Sequence, residues 1–413
     1  MQSITLHWLH IVALLGATQG FFLAGVLVTQ RRNRTANRLL AIAMFAFSIQ
    51  MISVVYHAVE LEQVFPHFFG AAYPLPMLYG PLVFLYAVKA SDRTRRLRWW
   101  DALHFVPFVV VVIVGLPIYL MSGAEKIAFY HEMQQGIRTP FIKVVDTLKF
   151  VSGISYATAT IVFLQRHRNM VKESYSSLER VNLQWLLRLA VGGAAVWALA
   201  ALFHFSDVLN HPLIERQDDV VALAIAILVY GVGYMALRQP EIFNVATAEY
   251  PVPQVAPMAS DAAETIPIGT ERAPEPEAVP RYERSGLSEK EASELKDAVL
   301  AVMEGKKPYR RSDLTLTELA DQLVTTPHKL SEVLNSQLEQ SFYDFVNGYR
   351  VREVQQRMAD GESQNLTLLS LALDAGFASK STFNSVFKKQ TGQTPSSHRD
   401  TVVSSSNEST GAE

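Results

Sequence analysis

The chain has 413 residues, 49% of them hydrophobic and 18% charged, and it contains no cysteine. Disulfides, thiolate zinc sites and thiol catalysis are therefore excluded. The formal net charge of −2 provides no chain-wide attraction for nucleic acid, so any DNA contact must rest on a local patch. The length allows two or three domains. The scarcity of charge is concentrated before residue 244.

Seven apolar stretches occupy that first part, at about 4–29, 37–59, 73–89, 102–121, 142–165, 185–205 and 219–237. Most reach the roughly 20 residues that a helix needs to cross hydrocarbon. The third is short and contains Pro81, and Pro107 and Pro117 predict kinks in the fourth. No basic stretch or small-residue cleavage site accompanies the first run, which predicts a retained span rather than a signal peptide.

The polar breaks predict the orientation. The odd ones carry Arg31, Arg32, Arg34 and Arg38, then Lys89, Arg93, Arg95, Arg96 and Arg98, then Arg166, Arg168, Lys172 and Arg180. The even ones hold only Lys126, Arg138, Lys143 and Arg216. Positive residues favour the cytoplasmic side, so the N-terminus is expected outside and everything after Arg238 in the cytoplasm. Seven spans exceed what an anchor needs and imply a bundle that senses or transports.

Ionisable groups within spans are candidates for such a role. Asp146 and Lys149 stand three apart on one predicted helix face and can pair, either as a sensor element or as a structural ion pair. Gln19 and Gln50 can bridge helices or meet a ligand. His57, Glu60, His67, His204, Asp207 and His211 fall on the predicted outer side, where they could form a metal or pH site or be merely interfacial. Gln19, His57, Asp146, Lys149, His204 and Asp207 are the sensor candidates; no specific metal site is assigned.

From Asn244 to Gly286 the chain turns rich in proline, alanine and glutamate, with Pro251, Pro253, Pro257, Pro267, Pro274, Pro276 and Pro280. This predicts a disordered, mildly acidic tether. A tether of that kind transmits no rigid twist, so signalling through proximity of two chains is expected. The predicted domains are thus a membrane half over 1–243, a linker over 244–286, a helical domain over 287–400 and a disordered tail over 401–413.

In the helical domain Ser288 and Glu291 have the spacing of a capping box and open a helix to about Met303. Leu316, Leu319, Ala320 and Leu323 form one face of a short helix. A turn at Val324–Thr325 follows, and Thr326 caps a second helix with Pro327 at its first position. A long helix is expected over about 341–358. Then the pattern repeats: Thr367 caps a helix over 368–375, Gly376 turns the chain, Ser379 caps a helix over 380–391, and Gly392 ends it. The result is two helix-turn-helix units joined by one long helix, in a chain of all-α class.

Ala372, Gly376-Phe377, Ser379, Phe383, Phe387-Lys388-Lys389, Gly392, Thr394-Pro395 and Arg399 resemble the AraC/XylS family of transcription regulators, as do Phe342–Asn347 and Tyr349-Arg350. The resemblance covers about 285–400. Val354-Gln355 and His398 depart from the family's usual residues at packing positions. The membrane half resembles a subgroup with seven spans before this domain, through Gly16–Gly20, Tyr79–Leu82, Gly233-Tyr234 and Arg238–Pro240.

This resemblance implies that the second helix of each unit enters the major groove. Base-edge candidates are then His328, Lys329, Ser331 and Glu332, and Lys380, Ser381, Thr382 and Ser385; Lys388, Lys389 and Arg399 suit phosphate. It implies double-stranded promoter DNA, the lipid bilayer, a second copy of the chain on DNA and an unknown signal ligand as partners, in a bacterial inner membrane. No cofactor is implied. The alternative is a transporter or receptor whose helix-turn-helix domain serves as a docking or regulatory tail. An enzyme is not expected, because no H-E-x-x-H, G-x-S-x-G or phosphate-loop motif occurs. Lys380, Lys388, Lys389 and Arg399 lie in a stretch without an acidic residue, although the domain as a whole is not basic.

Overall fold

The computed structural model describes residues 7–30, 33–92, 94–135, 139–178, 183–209, 213–214, 217–238 and 287–410. The linker, His211, and the loop residues Arg31, Arg32, Arg93, Arg138, Arg180 and Arg216 lie outside them. The chain is all-α and has two compact units, Met1–His167 with Leu183–Glu249, and Arg168–Asn182 with Tyr250–Glu413.

The first unit contains α1 (Trp8–Thr29), α2 (Arg34–Ala58), α3 (Pro76–Ser91), α4 (Val106–Leu120), α5 (Gly123–Gln134), α7 (Gln184–Val208) and α8 (Gln217–Arg238). It also holds α6 (Pro140–Ser174) as far as His167. Six of the described helical segments are long and apolar enough to cross a membrane: Trp8–Thr29, Arg34–Ala58, Trp99–Leu120, Pro140–Ser174, Gln184–Asp207 and Gln217–Met235. The expected third span is α3, whose 16 residues fall short of a full crossing. Pro107 lies in the first turn of α4, where a missing N–H costs nothing, and Pro117 lies inside that helix. The short helix α5, opened by a Ser122–Glu125 capping box, was not foreseen.

Small residues face inward in this unit: Ala13, Ala17, Ala36, Ala43 and Ala226 are buried, whereas Phe22, Ile42, Phe45, Ile113 and Ile227 are exposed. In water that distribution would be costly, but in a bilayer lipid covers the large side chains and small residues let helices approach. At Gly20 a Cβ would crowd Ser48 Oγ at 2.2 Å, so glycine lets α1 pack on α2 without displacing that hydroxyl.

The second unit is built on one helix with two cores. After α9 (Glu289–Gly305) come α10 (Leu316–Gln322), α11 (Pro327–Gln337), α12 (Phe342–Ala359), α13 (Leu368–Asp374), α14 (Lys380–Thr391) and α15 (Pro395–Thr410). Phe342, Phe345 and Val346, from the first half of α12, pack with Leu319, Leu330 and Leu334. Val351, Val354 and Met358, from its second half, pack with Leu371, Phe377, Phe383 and Phe387. Both departures from the family pattern are absorbed in packing. Val354 is fully buried, and the His398 ring stands edge-on to Phe387 with centroids 5.4 Å apart. The expected caps form: the side chains of Ser288, Thr326, Thr367 and Ser379 each accept an N–H of the first turn, and Gly392 ends α14 in the left-handed region.

The two helix-turn-helix turns are chemically unlike. Gly376 has φ 96°, and a Cβ there would meet the Tyr309 carbonyl oxygen at 2.3 Å. Val324 occupies the corresponding turn of the first helix-turn-helix at φ 54° and is 95% exposed. A β-branched residue in that conformation costs about 1–2 kcal/mol with no packing in return. Gly376→Ala is therefore expected to loosen the second helix-turn-helix, with faster amide exchange across Phe342–Thr391 in the intact chain. Val324→Gly is expected to stabilise the first helix-turn-helix by about 1 kcal/mol in denaturant titrations followed by exchange at α10 and α11; equal loss in both variants would contradict the contrast.

Candidate nucleic-acid interface

The exposed face of α11 follows from its buried one. Leu330, Val333 and Leu334 point into the cores, so His328, Ser331, Glu332 and Asn335 share the opposite side at helical spacing. His328 and Asn335 are exposed, and Ser331 and Glu332 half-buried. Lys329 is displaced from this face. It stands one turn before Val333, which packs with Leu287 and Ala292, and its charge is felt by Glu291 of α9. Asn335 was missed in the sequence, although it is one turn beyond Ser331, whose Oγ lies 3.4 Å from Asn335 Nδ2.

In α14 the buried side is Phe383, Val386 and Phe387. Lys380, Ser381, Ser385 and Lys388 are exposed, while Thr382 is half-buried and its backbone N–H is capped by Ser379. The three phosphate candidates differ. Lys388 is exposed. Lys389 Nζ lies 2.7 Å from Asp344 Oδ1, and Arg399 lies 2.9 Å from Asp400. Phosphate must therefore compete with a carboxylate for Lys389 and Arg399.

Two ion pairs brace α12, one to α14 and one to the Pro308–Arg310 turn. Burial pushes the Asp344 carboxyl upward, but hydrogen bonds from Lys389 and Ser341 outweigh it and leave the group below the usual carboxylate range. Glu353 behaves alike: burial is overcome by Arg310, whose Nε and Nη2 both reach the carboxylate at 2.9 and 2.6 Å, and by Tyr309. Arg350 is 1% exposed and faces no carboxylate at bonding distance among the described residues. Its Nε donates to the Tyr309 carbonyl at 2.7 Å, and Nη2 to the Arg311 carbonyl at 2.7 Å. Desolvation lowers its pKa to about 10, which leaves it charged at neutral pH.

The remaining guanidinium bonds go to a residue far away in sequence. Ser176 is fully buried; its carbonyl accepts from Arg350 Nη1 at 3.0 Å and from Asn347 Nδ2 at 3.1 Å. Its Oγ donates to the Leu314 carbonyl at 2.6 Å, and Tyr175 forms an isolated β-bridge with Thr315, the cap of α10. Sequence reasoning treated this stretch only as a positively charged loop.

In the first unit the sensor candidates separate. Asp146, Lys149, His204 and Asp207 line one cavity of about 450 Å³, together with Gln50 and Tyr79. Lys149 Nζ is 3.1 Å from Asp146 Oδ1, which also accepts from the Tyr73 hydroxyl at 3.0 Å, and Gln217 donates to Asp207 at 2.9 Å. His57 instead pairs with buried Glu62, and Gln19 sits against Gly233. Among the described residues no three histidine, aspartate or glutamate side chains are grouped to hold a metal ion.

Residues 319–401 match the family model of a helix-turn-helix domain. The match supports an AraC/XylS-like regulator. Such a domain binds double-stranded DNA and is not normally catalytic. No curated protein and no solved structure matches the chain.

The braces set an acid limit. Both carboxyl pKa values are depressed, so the stability they contribute is fully present above the ordinary values of 3.8 and 4.5 and is lost as pH falls through the lowered ones. Exchange protection of α12 and α14 is expected to hold down to about pH 5 and to fall below it. With Asp344→Asn and Glu353→Gln together, that acid dependence flattens.

Proposed function

We propose that the protein is a membrane-embedded one-component transcription regulator that reads promoter DNA with α11 and α14. The observation that carries this is the pair of capped second helices, each with a polar outer face, mounted on the two halves of α12 within the matched region. Six apolar helices favour attachment to a membrane, and with α3 counted as a seventh, short crossing the basic residues of the odd loops favour an external N-terminus with the reader in the cytoplasm. The cavity at Asp146 and Lys149 is of a size that holds a small molecule, and we assign the external or membrane cue to it.

On this reading His328, Ser331 and Glu332, with Lys380, Ser381 and Ser385, meet base edges, Lys329 and Thr382 support them from the flanks, and Lys388 meets phosphate. Lys389 and Arg399 join Lys388 after exchanging carboxylate for phosphate. The basic footprint is narrow, so one copy binds modestly and two copies on adjacent sites bind well.

Selection of duplexes from a random pool by the full chain in detergent tests the reading, and recovery of no preferred sequence would overturn it. Lys380→Ala with Thr382→Ala is expected to lose preference between selected and unrelated DNA. Lys388→Ala is expected to weaken both alike and to reduce the salt slope by about one ion. For the topology, a cysteine placed at Ser122 is expected to react with an impermeant maleimide in intact cells, and one placed at Thr94 to react only after lysis.

A further inference from the structure

Residues 168–178 pack as part of the helix-turn-helix unit, and they touch its outer face as well as its core. The Glu173 carboxylate accepts from Asn335 Nδ2 at 3.0 Å. Asn335 shares the outer side of α11 with His328, Ser331 and Glu332. Lys172 stands close enough to Asp344 and Lys389 for all three to feel one another's charge, which extends the segment toward the second helix-turn-helix. Ser176 anchors it on Arg350, Asn347 and Leu314.

We propose that this segment is an autoinhibitory latch whose occupant site is the DNA-reading face itself. The proposal rests on the DNA-reading assignment made above. The docked segment excludes DNA from the outer side of α11 by its volume, and the Glu173 carboxylate occupies the Asn335 amide that would otherwise face the bases. Docked segment and bound duplex therefore compete for one surface, and each weakens the other by the same factor.

The anchor suits reversible release. Arg350 is held by carbonyl and hydroxyl oxygens, not by a carboxylate. When Ser176 leaves, Nη1 and Nη2 lose its carbonyl and hydroxyl oxygens, and water can replace both, while the Tyr309 and Arg311 carbonyls stay in place. The guanidinium is thus served in both states, as a two-state element requires. Asp146 and Lys149, which line the cavity, lie on the same continuous helix as Glu173, so a molecule in the cavity has a covalent route to the latch.

The absence of native cysteine allows a direct test in the full chain. Glu173→Cys with Asn335→Cys is oxidised or bridged by a short bis-maleimide, and binding is measured to a duplex selected on the reduced protein. The crosslinked form is expected to bind at least about tenfold more weakly, with recovery of the disulfide form on reduction. Crosslinked protein that binds as tightly as reduced protein overturns the latch, and so does failure of the pair to crosslink. Glu173→Ala is the opposite arm, expected to bind the same duplex several-fold more tightly than the unaltered chain; equal or weaker binding overturns the proposal. If the reduced protein selects no duplex at all, the DNA-reading assignment fails, an outcome distinct from tight binding by the locked form.

Discussion

The guanidinium of Arg350 is the interaction on which the helix-turn-helix unit depends. A cation removed from water is costly unless every donor finds an acceptor. Arg350 lies on the helix shared by both cores, and it draws in the Tyr309 and Arg311 carbonyls, the Asn347 side chain and Ser176. The turn over Pro308–Arg310 is thereby pinned to α12. That turn in turn presses the Tyr309 carbonyl against Gly376, and Arg310 clasps Glu353. One buried charge thus ties the first helix-turn-helix, the shared helix and the turn of the second helix-turn-helix together.

The same arrangement bears on function. On the proposed reading, α11 and α14 address successive groove segments only if their spacing is fixed, and the ion pairs on α12 hold α14 and the Pro308–Arg310 turn to that helix. Ser176 adds a removable element to an otherwise permanent network. A latch adds control within a single chain, because its release changes the affinity of one reader before a second arrives.

Much of this was legible in the residues. The caps at Ser288, Thr326, Thr367 and Ser379, the inward stripe of Phe383, Val386 and Phe387, and the pairing of Asp146 with Lys149 all follow from spacing within one or two turns. Asn335 was equally legible, since it continues the face of His328 and Ser331. The gathering of Asp146, Lys149, His204 and Asp207 around one cavity was not. These residues come from two helices, and helical periodicity carries no information about which faces of different helices meet. The same holds for the separation of Gln19 and His57 from that group.

The sequence alone determined the all-α class, the apolar helices of the first part, the doubled helix-turn-helix and the polar outer faces of its second helices. All are consequences of backbone hydrogen bonding and side-chain polarity over a few residues. The tertiary structure alone decided that Gly376 is required by a carbonyl from another turn, that Lys389 is held by Asp344, and that Ser176 fills the site above Arg350. Each depends on groups brought together from distant positions, 174 residues apart for Ser176 and Arg350. The physical reason is that burial of a charge is satisfied by whatever acceptors the packed chain delivers, and no local pattern records which those will be.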